Sequence, residues 1–375
     1  MRICQVTTVH SRHDTRVFLK ECRSLFRAGN DVTLVVADGR GYENKDGVHI
    51  VDIGNKPRGK ISRMLFSLGV MRKALQKIDA EVFHFHDPEL LPVASAFAKA
   101  GCKVIYDSHE DLPRQLLAKD WAPRWLLALL APLLEIYENG VARRISAVVA
   151  ATEGIRDRFS AIGANSSLVR NYPIVEEFAA AYAAGDVSGS HGTRRGACYV
   201  GGIFANRGAH EMVAAAALSG ITLRLAGPFK PAALEREMLA RASRAELISI
   251  EGFLDRQGVA RLLSECQMGL VTLADLPNYR ESLPIKLFEY MAAGLPVIAS
   301  DFPSWRVIVE EGGCGLCVDA SSPEAIADAM REIASDALRA AEMGERGRRL
   351  VAERYNWNLE EKSLLDLYSG LGQGA

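Results

Sequence analysis

Two glutamates, Glu281 and Glu289, stand in the run Glu281-Ser-Leu-Pro-Ile-Lys-Leu-Phe-Glu289-Tyr-Met-Ala-Ala-Gly294-Leu-Pro296. Ionised carboxylates are hydrogen-bond acceptors, which is what vicinal sugar hydroxyls require. Between the two lie the marks of a helix start. Ser282 is a good N-cap, Pro284 suits the first turn, and Leu287, Phe288 and Met291 are apolar at helical spacing. Gly294 ends the helix and Pro296 prevents its continuation. Free N–H groups near Ser282 and Leu283, aided by the helix dipole, make an anion site. Eight residues at the helical rise span roughly 12 Å. That reach suits a ligand with a hydroxylated group at each end and a diphosphate between them, such as a nucleotide-diphosphate sugar. The plain alternative is a capped surface helix with two solvated carboxylates.

The elements that must position these residues alternate along the chain. Strand-like runs occur at Arg2–Thr8, Asp31–Ala37, Val48–Asp52, Val82–His86, Lys103–Asp107, Ala147–Ala151 and Ser167–Arg170, with helical runs such as Asp14–Ala28, Ile61–Ile78 and Pro88–Ala100 between them. The pattern stops over Ala179–Gly196, where Ala, Gly, Ser, His and Arg dominate, and a linker is the natural reading. It restarts at Ala197–Val200, Thr222–Ala226, Leu247–Ile250, Gly269–Leu273 and Val297–Ala299. Strands alternating with helices imply parallel sheets with crossover helices. Two doubly wound domains in tandem follow, with a ligand cleft expected at the carboxyl ends of their strands.

The run from Glu281 to Ser300 resembles the retaining glycosyltransferases of family 4 (glycosyl transferases group 1), which have the GT-B fold. Four other segments are similar to that family in the expected order: Thr8-Val-His10-Ser-Arg-His-Asp-Thr-Arg-Val-Phe, His84-Phe-His86-Asp87-Pro-Glu-Leu-Leu, Tyr106-Asp-Ser-His109-Glu110-Asp, and Tyr199-Val-Gly201-Gly202-Ile-Phe-Ala-Asn-Arg207-Gly208. Tyr355-Asn-Trp357 matches the family's final helices. The resemblance implies an α/β protein with two Rossmann-like domains facing a cleft. The expected division is 1–180 for an acceptor-binding domain, 181–196 for the linker, 197–354 for a nucleotide-sugar domain, and 355–375 for a helix packing back on the first domain.

Roles follow from the resemblance. It implies that Glu289 binds the ribose hydroxyls, and that Glu281 faces the donor sugar. The backbone at Ser282, Leu283 and Pro284 would line the diphosphate site, and Arg207 would neutralise the departing diphosphate, a task suited to a guanidinium. Gly201 and Gly202 allow close backbone approach, though a plain strand-to-helix turn needs the same residues. His109 would contact the donor sugar at the reaction centre. The chain departs from the family in two places. Many members carry a second basic residue where this chain has Gly202, so charge stabilisation rests more heavily on Arg207 and the helix start. Many have a Gly-Gly turn after the first strand, where this chain has His10–Arg16 without glycine. His10, His13, Asp14 and Arg16 would replace that turn's donor contact or bind acceptor, with Asp14 as a simple helix cap the alternative. His86 and Asp87 read as cleft residues near acceptor.

Other chemistry is weaker. His84 and His86 share one face of a strand, a spacing that can ligate metal, but no third ligand is evident. Cys314-Gly-Leu-Cys317 is a single C-x-x-C in an apolar run and reads as buried thiols. The chain has no Asp-x-Asp to hold a divalent ion on a diphosphate. No metal or other cofactor is expected; the co-substrate is a UDP- or GDP-sugar, and the acceptor a glycan or lipid-linked hydroxyl. An epimerase or another enzyme on the same fold, or a silent nucleotide-binding protein, are the alternative readings.

A net charge of −1 gives no whole-chain attraction for nucleic acid. Seven scattered cysteines and an N-terminus that reads as a strand fit a reducing, cytoplasmic setting. The segment Lys56–Lys77 holds seven basic and no acidic residues, interleaved with Ile61, Leu65, Phe66, Leu68 and Met71. Such a basic amphipathic helix can lie on an anionic membrane surface, or be a core helix with one solvated side. Trp121, Trp125 and the run Leu126–Leu134 would add a second interfacial contact or pack inside; that run is too short to span a bilayer and carries Pro132.

Overall fold

The computed structural model describes residues 1–56, 67–117, 122–179, 181, 194–280 and 282–373. The chain forms two compact units, Met1–Asn171 with Trp357–Ala375, and Tyr172–Asn356. The first boundary falls before residue 180 because the Tyr172 ring packs 4.8 Å from Phe288 and 5.4 Å from Tyr355 within the second unit. Most of the expected linker, 182–193, lies outside the described residues.

In the first unit, strands β1 (Arg2–Val6), β2 (Asp31–Val36), β3 (Glu43–Lys45), β4 (Val48–Asp52), β5 (Val82–Phe85), β6 (Lys103–Ser108), β7 (Ala147–Ala150) and β8 (Ser166–Leu168) form one sheet ordered β3-β4-β2-β1-β5-β6-β7-β8. All neighbours run parallel except β3, which pairs antiparallel with β4. The segment Glu43–Lys45 has no apolar residue to mark it as a strand. It exists because Asp46 and Gly47 both take positive φ (51° and 83°), the tight turn that folds one strand back on the next. The C-terminal helix Trp357–Gln373 belongs to this unit: Trp357 Nε1 donates to Ser24 Oγ at 2.9 Å, and Tyr368 is buried beside β1 and β5.

In the second unit, β9 (Ala197–Val200), β10 (Leu223–Ala226), β11 (Ile248–Gly252), β12 (Met268–Val271), β13 (Val297–Ser300) and β14 (Gly315–Val318) form an all-parallel sheet ordered β11-β10-β9-β12-β13-β14. Ala197 and Tyr199 enter one hydrophobic cluster and Cys198 the other, as successive strand residues facing opposite layers must. Cys314 and Cys317 are free thiols, Cys314 buried.

Both sheets reverse their winding direction once, between β1 and β5 in the first unit and between β9 and β12 in the second. At such a point the loops leaving the carboxyl ends diverge, and each sheet is expected to offer a ligand crevice there.

Candidate functional site

At the β9 end of the second unit, Gly201 has φ +124°, a conformation that only glycine adopts readily. A Cβ at Gly202 would sit 2.7 Å from the Phe204 ring, so that ring occupies the space a side chain at 202 would need. Arg207 ends the short turn Ala205–Arg207, lies 4.9 Å from the Phe204 ring, and donates through Nη1 to Gly202 O at 3.3 Å. Among the described residues, no carboxylate forms an ion pair with it.

The helix carrying Glu289 runs Ile285–Ala292 and starts later than its sequence suggests. Pro284 takes the N-cap position, and the preceding turn Pro277–Arg280 captures Ser282: its N–H and its hydroxyl both donate to Tyr279 O, at 3.1 and 3.0 Å. Ser282 is therefore neither the cap nor a free backbone donor. Leu283 packs against the hydrophobic core. The N–H groups left without an intrahelical partner belong to the first turn, starting at Ile285 and Lys286. Glu281 lies outside the described residues.

Glu289 is buried, and its Oε1 accepts from Arg256 Nη1 at 2.7 Å. Arg256 also donates to Glu177 Oε2 from Nε and Nη2, at 2.9 and 2.6 Å. The carboxylate expected to take ribose hydroxyls is thus held in place by a guanidinium that is itself clamped. Lys286, in the first turn of the same helix, is buried with its Nζ 3.6 Å from the Tyr199 ring centre and no hydrogen-bond partner among the described residues.

At the β1, β5 and β6 ends of the first unit, the candidates separate into two groups. Arg16 is buried: its Nε and Nη2 donate to the two Asp107 oxygens at 2.9 Å each, its Nη1 donates to Val169 O at 2.9 Å, and its Nε lies 3.1 Å from Glu21. It is an internal ion pair, not a group offered to a ligand. Asp87 is equally internal, with Oδ2 accepting from Thr7, Thr8 and Val9, so it braces the loop that replaces a glycine turn. His86 is buried, with Nδ1 at 3.2 Å from Asp107 and Nε2 on Gln5 Oε1. His13 turns away to Glu43, 3.1 Å from its Nε2.

His10, Asp14 and His109 keep partly exposed side chains. The His10 and His109 rings meet edge to face at 5.1 Å, and His109 stacks on His86 at 5.6 Å. Asp14 caps the helix Thr15–Cys22 by accepting from Arg16 and Val17 N–H, and also lies 3.3 Å from His10 Nδ1. Burial works against a charged His10, but its bond to Asp14 and the charges of Asp14, Asp87 and Asp107 win and raise its pKa. His109 goes the other way: burial carries its pKa down to about 3, Asp107 notwithstanding. It is a neutral imidazole at ordinary pH. Its Nδ1 lies 3.4 Å from an Asp107 oxygen, and its Nε2 is buried with no hydrogen-bond partner among the described residues.

The third and fourth groups that His84 and His86 lacked in the sequence are Glu21 and Asp107; the four place ligand atoms within 4.8 Å of one another. Arg16 stands among them as their counter-charge. Burial disfavours charge on both carboxyls, yet Arg16 holds Asp107 well below the usual range, while the neighbouring Asp107 charge helps push Glu21 well above it. Sequence reading missed Glu21, Asp107, Glu177, Arg256 and Lys286. For Asp107, the strand-end position two residues before His109 was the available signal.

The family description Glycosyl transferases group 1 matches residues 186–350, and Glycosyl transferase 4-like domain matches 15–173. A stretch of 96 residues is 35% identical to the D-inositol 3-phosphate glycosyltransferase of Corynebacterium urealyticum, covering 26% of this chain and 22% of that protein. The match thus spans less than a quarter of that relative's length. Among solved structures, the sucrose-phosphate synthase from Thermosynechococcus elongatus has a TM-score of 0.80 at 17% identity over 100% of both chains. The Anabaena protein HepE in complex with UDP-glucose has a TM-score of 0.72 at 15% identity, over 99% of this chain and 100% of that one. At these identities the likeness is one of fold.

Proposed function

We propose that the chain, which matches the descriptions Glycosyl transferases group 1 and Glycosyl transferase 4-like domain in its two halves, is a retaining, metal-independent transferase that moves a sugar from a UDP- or GDP-sugar to a hydroxyl of a glycan or lipid-linked acceptor, in cell-surface polysaccharide or glycolipid synthesis. The observation that carries this reading is unopposed positive charge at the winding reversal of the second sheet. Arg207 donates to a carbonyl and faces no described carboxylate, and the start of helix Ile285–Ala292 adds its free N–H groups. Together they supply charge that a divalent ion supplies elsewhere. Glu289, steadied by Arg256, would accept the ribose hydroxyls, and Glu281 would face the donor sugar. In this mechanism the acceptor oxygen attacks the anomeric carbon on the face the diphosphate leaves, and a phosphate oxygen takes the acceptor's proton. The protein contributes position and charge.

The Anabaena protein was solved with UDP-glucose, so UDP-sugars are the first donors to test. The experiment is a thermal-shift screen against UDP- and GDP-sugars with EDTA present, followed by NMR of the product from any stabilising donor. Retained anomeric configuration with EDTA present supports the reading. Conversion of donor without acceptor would make the protein an epimerase, and no stabilisation by any UDP or GDP compound would remove the transferase.

We also propose peripheral binding to the cytoplasmic membrane face. Helix Arg124–Ala142 has 19 residues and is long and apolar enough to cross a membrane by length and composition. It buries Leu127, Ala131, Glu138 and Val141, and Glu138 is tied to Arg158 at 2.8 Å. The opposite side exposes Trp125, Leu129, Leu133 and Ile136, a stripe suited to an interface. Arg72, Lys73 and Lys77 are exposed while Met71 and Leu75 are buried, though residues 57–66 of the basic segment lie outside the described residues. Flotation with anionic vesicles tests this, and a double substitution Trp125→Ser, Leu129→Ser should abolish it.

A further inference from the structure

Lys286 is 7% exposed, and its Nζ has no hydrogen-bond partner among the described residues. A buried ammonium normally finds a carboxylate or several carbonyls, because burying it unpaired is costly. Glu289, in the next turn of the helix, is engaged by Arg256 instead. The contacts that Lys286 does make point to one place. Its Nζ lies 3.6 Å from the Tyr199 ring centre, and a Cβ at Gly201 would come within 3.2 Å of it. The Tyr199 hydroxyl donates to Gly202 O at 2.9 Å, the same carbonyl that accepts from Arg207 at 3.3 Å. Two cations therefore flank the Gly201–Gly202 turn, one beside each glycine.

We propose that Lys286 is the second cation of the diphosphate site, its Nζ contacting the phosphates of the bound nucleotide-sugar together with Arg207. This rests on the reading of the second unit as a nucleotide-sugar site. The chain has glycine at 202, where the Phe204 ring leaves no room for a side chain, and the missing charge enters from the neighbouring helix instead. In the free protein, burial and then the Arg207 charge hold Lys286 well below the usual lysine range, with Glu289 opposing them. Arg207, Glu289 and the Tyr199 ring are the charged and titratable groups that face it. A diphosphate adds negative charge beside Nζ and favours its protonated form, so the proton linkage of donor binding is in the direction of uptake.

The test is calorimetric titration of UDP-glucose and GDP-mannose, whose phosphates do not titrate near neutrality, into the full chain at pH 8 in buffers of different ionisation heat. The wild type should take up a fraction of a proton on binding. Lys286→Met should lose that uptake and about tenfold or more in affinity for the diphosphate compound, with uridine or guanosine affinity unchanged. Lys286→Arg should recover part of the loss. Unchanged affinity and proton uptake in a folded Lys286→Met would make Lys286 a packing residue and overturn the proposal while leaving the transferase standing. Should Lys286→Met not fold, Lys286→Gln is measured in its place, and unchanged affinity of a folded Lys286→Gln for the diphosphate compound overturns the proposal equally. No binding of any nucleotide-sugar by the wild type removes the transferase reading itself, and this inference with it.

Discussion

The ends of the two sheets treat charge in opposite ways. In the first unit, Arg16 is bound on three sides, Asp107 takes Arg16 and His86, and Asp87 is filled by a loop's own donors. In the second, Lys286 has no partner and Arg207 has a carbonyl where a carboxylate would be expected. Arg16, Asp107 and Asp87 are held by partners within the fold, although Glu21, His84 Nε2 and His109 Nε2 in the same unit have no hydrogen-bond partner among the described residues. The contrast is therefore one of cations: Arg16 is paired with carboxylates, whereas Arg207 and Lys286 are not paired with any described carboxylate. The difference separates cations paired within the fold from cations left without a described carboxylate, although both kinds lie in equally recognisable motifs.

The sharpest way to break this comparison is to remove one cation from each side. Arg16→Leu leaves the Asp107 carboxylate buried without its counter-charge and should cost about 3–5 kcal/mol of stability, measured by chemical denaturation. Arg207→Met should leave stability nearly unchanged and lower transferase turnover by on the order of 100-fold. If Arg207→Met unfolded the protein and Arg16→Leu only slowed it, the assignment of the two regions would be reversed.

A smaller effect separates the two glutamates. Glu289→Gln should weaken donor binding by about tenfold with turnover largely retained, because Arg256 keeps Glu177 as an anchor. Glu281→Gln should act mainly on turnover. Equal losses of donor affinity with turnover intact in both variants would show that the carboxylates do not divide the work.

A further effect is in the acid limb of stability. Unfolded His109 takes up its proton near the ordinary value of 6.5, and the folded protein does so only near 3. The unfolded state therefore binds more protons between those values, so stability falls as pH drops through that window. His109→Gln should flatten the fall of melting temperature from pH 6.5 toward 4, leaving the part due to His84, whose pKa is also lowered by burial. An identical slope in the variant would mean that His109 is not held neutral by the fold.

Local chemistry explains what was legible beforehand. Strand and helix alternation located most strands within a residue or two, since buried parallel strands are apolar runs bounded by turns. Asp14 as a cap was readable because capping involves only the next few residues. The start of the Glu289 helix was misplaced by local reasoning, as Ser282 has a good capping side chain but spends it on Tyr279. Strand β3 carried no apolar pattern at all and depends on its turn.

The sequence by itself determined the two α/β units and the resemblance to known glycosyltransferases, because periodicity and short motifs are properties of neighbouring residues. It did not determine which motif residues are free to bind. Arg16 and Asp107 are 91 positions apart, and Arg256 and Glu289 are 33 apart, so their pairing is decided only when the sheets form. Lys286 reads in the chain as one polar residue in an apolar helix. Only the tertiary structure lays it on Tyr199, beside Gly201 and without an anion, because burial and partner count are set by what packs around a side chain.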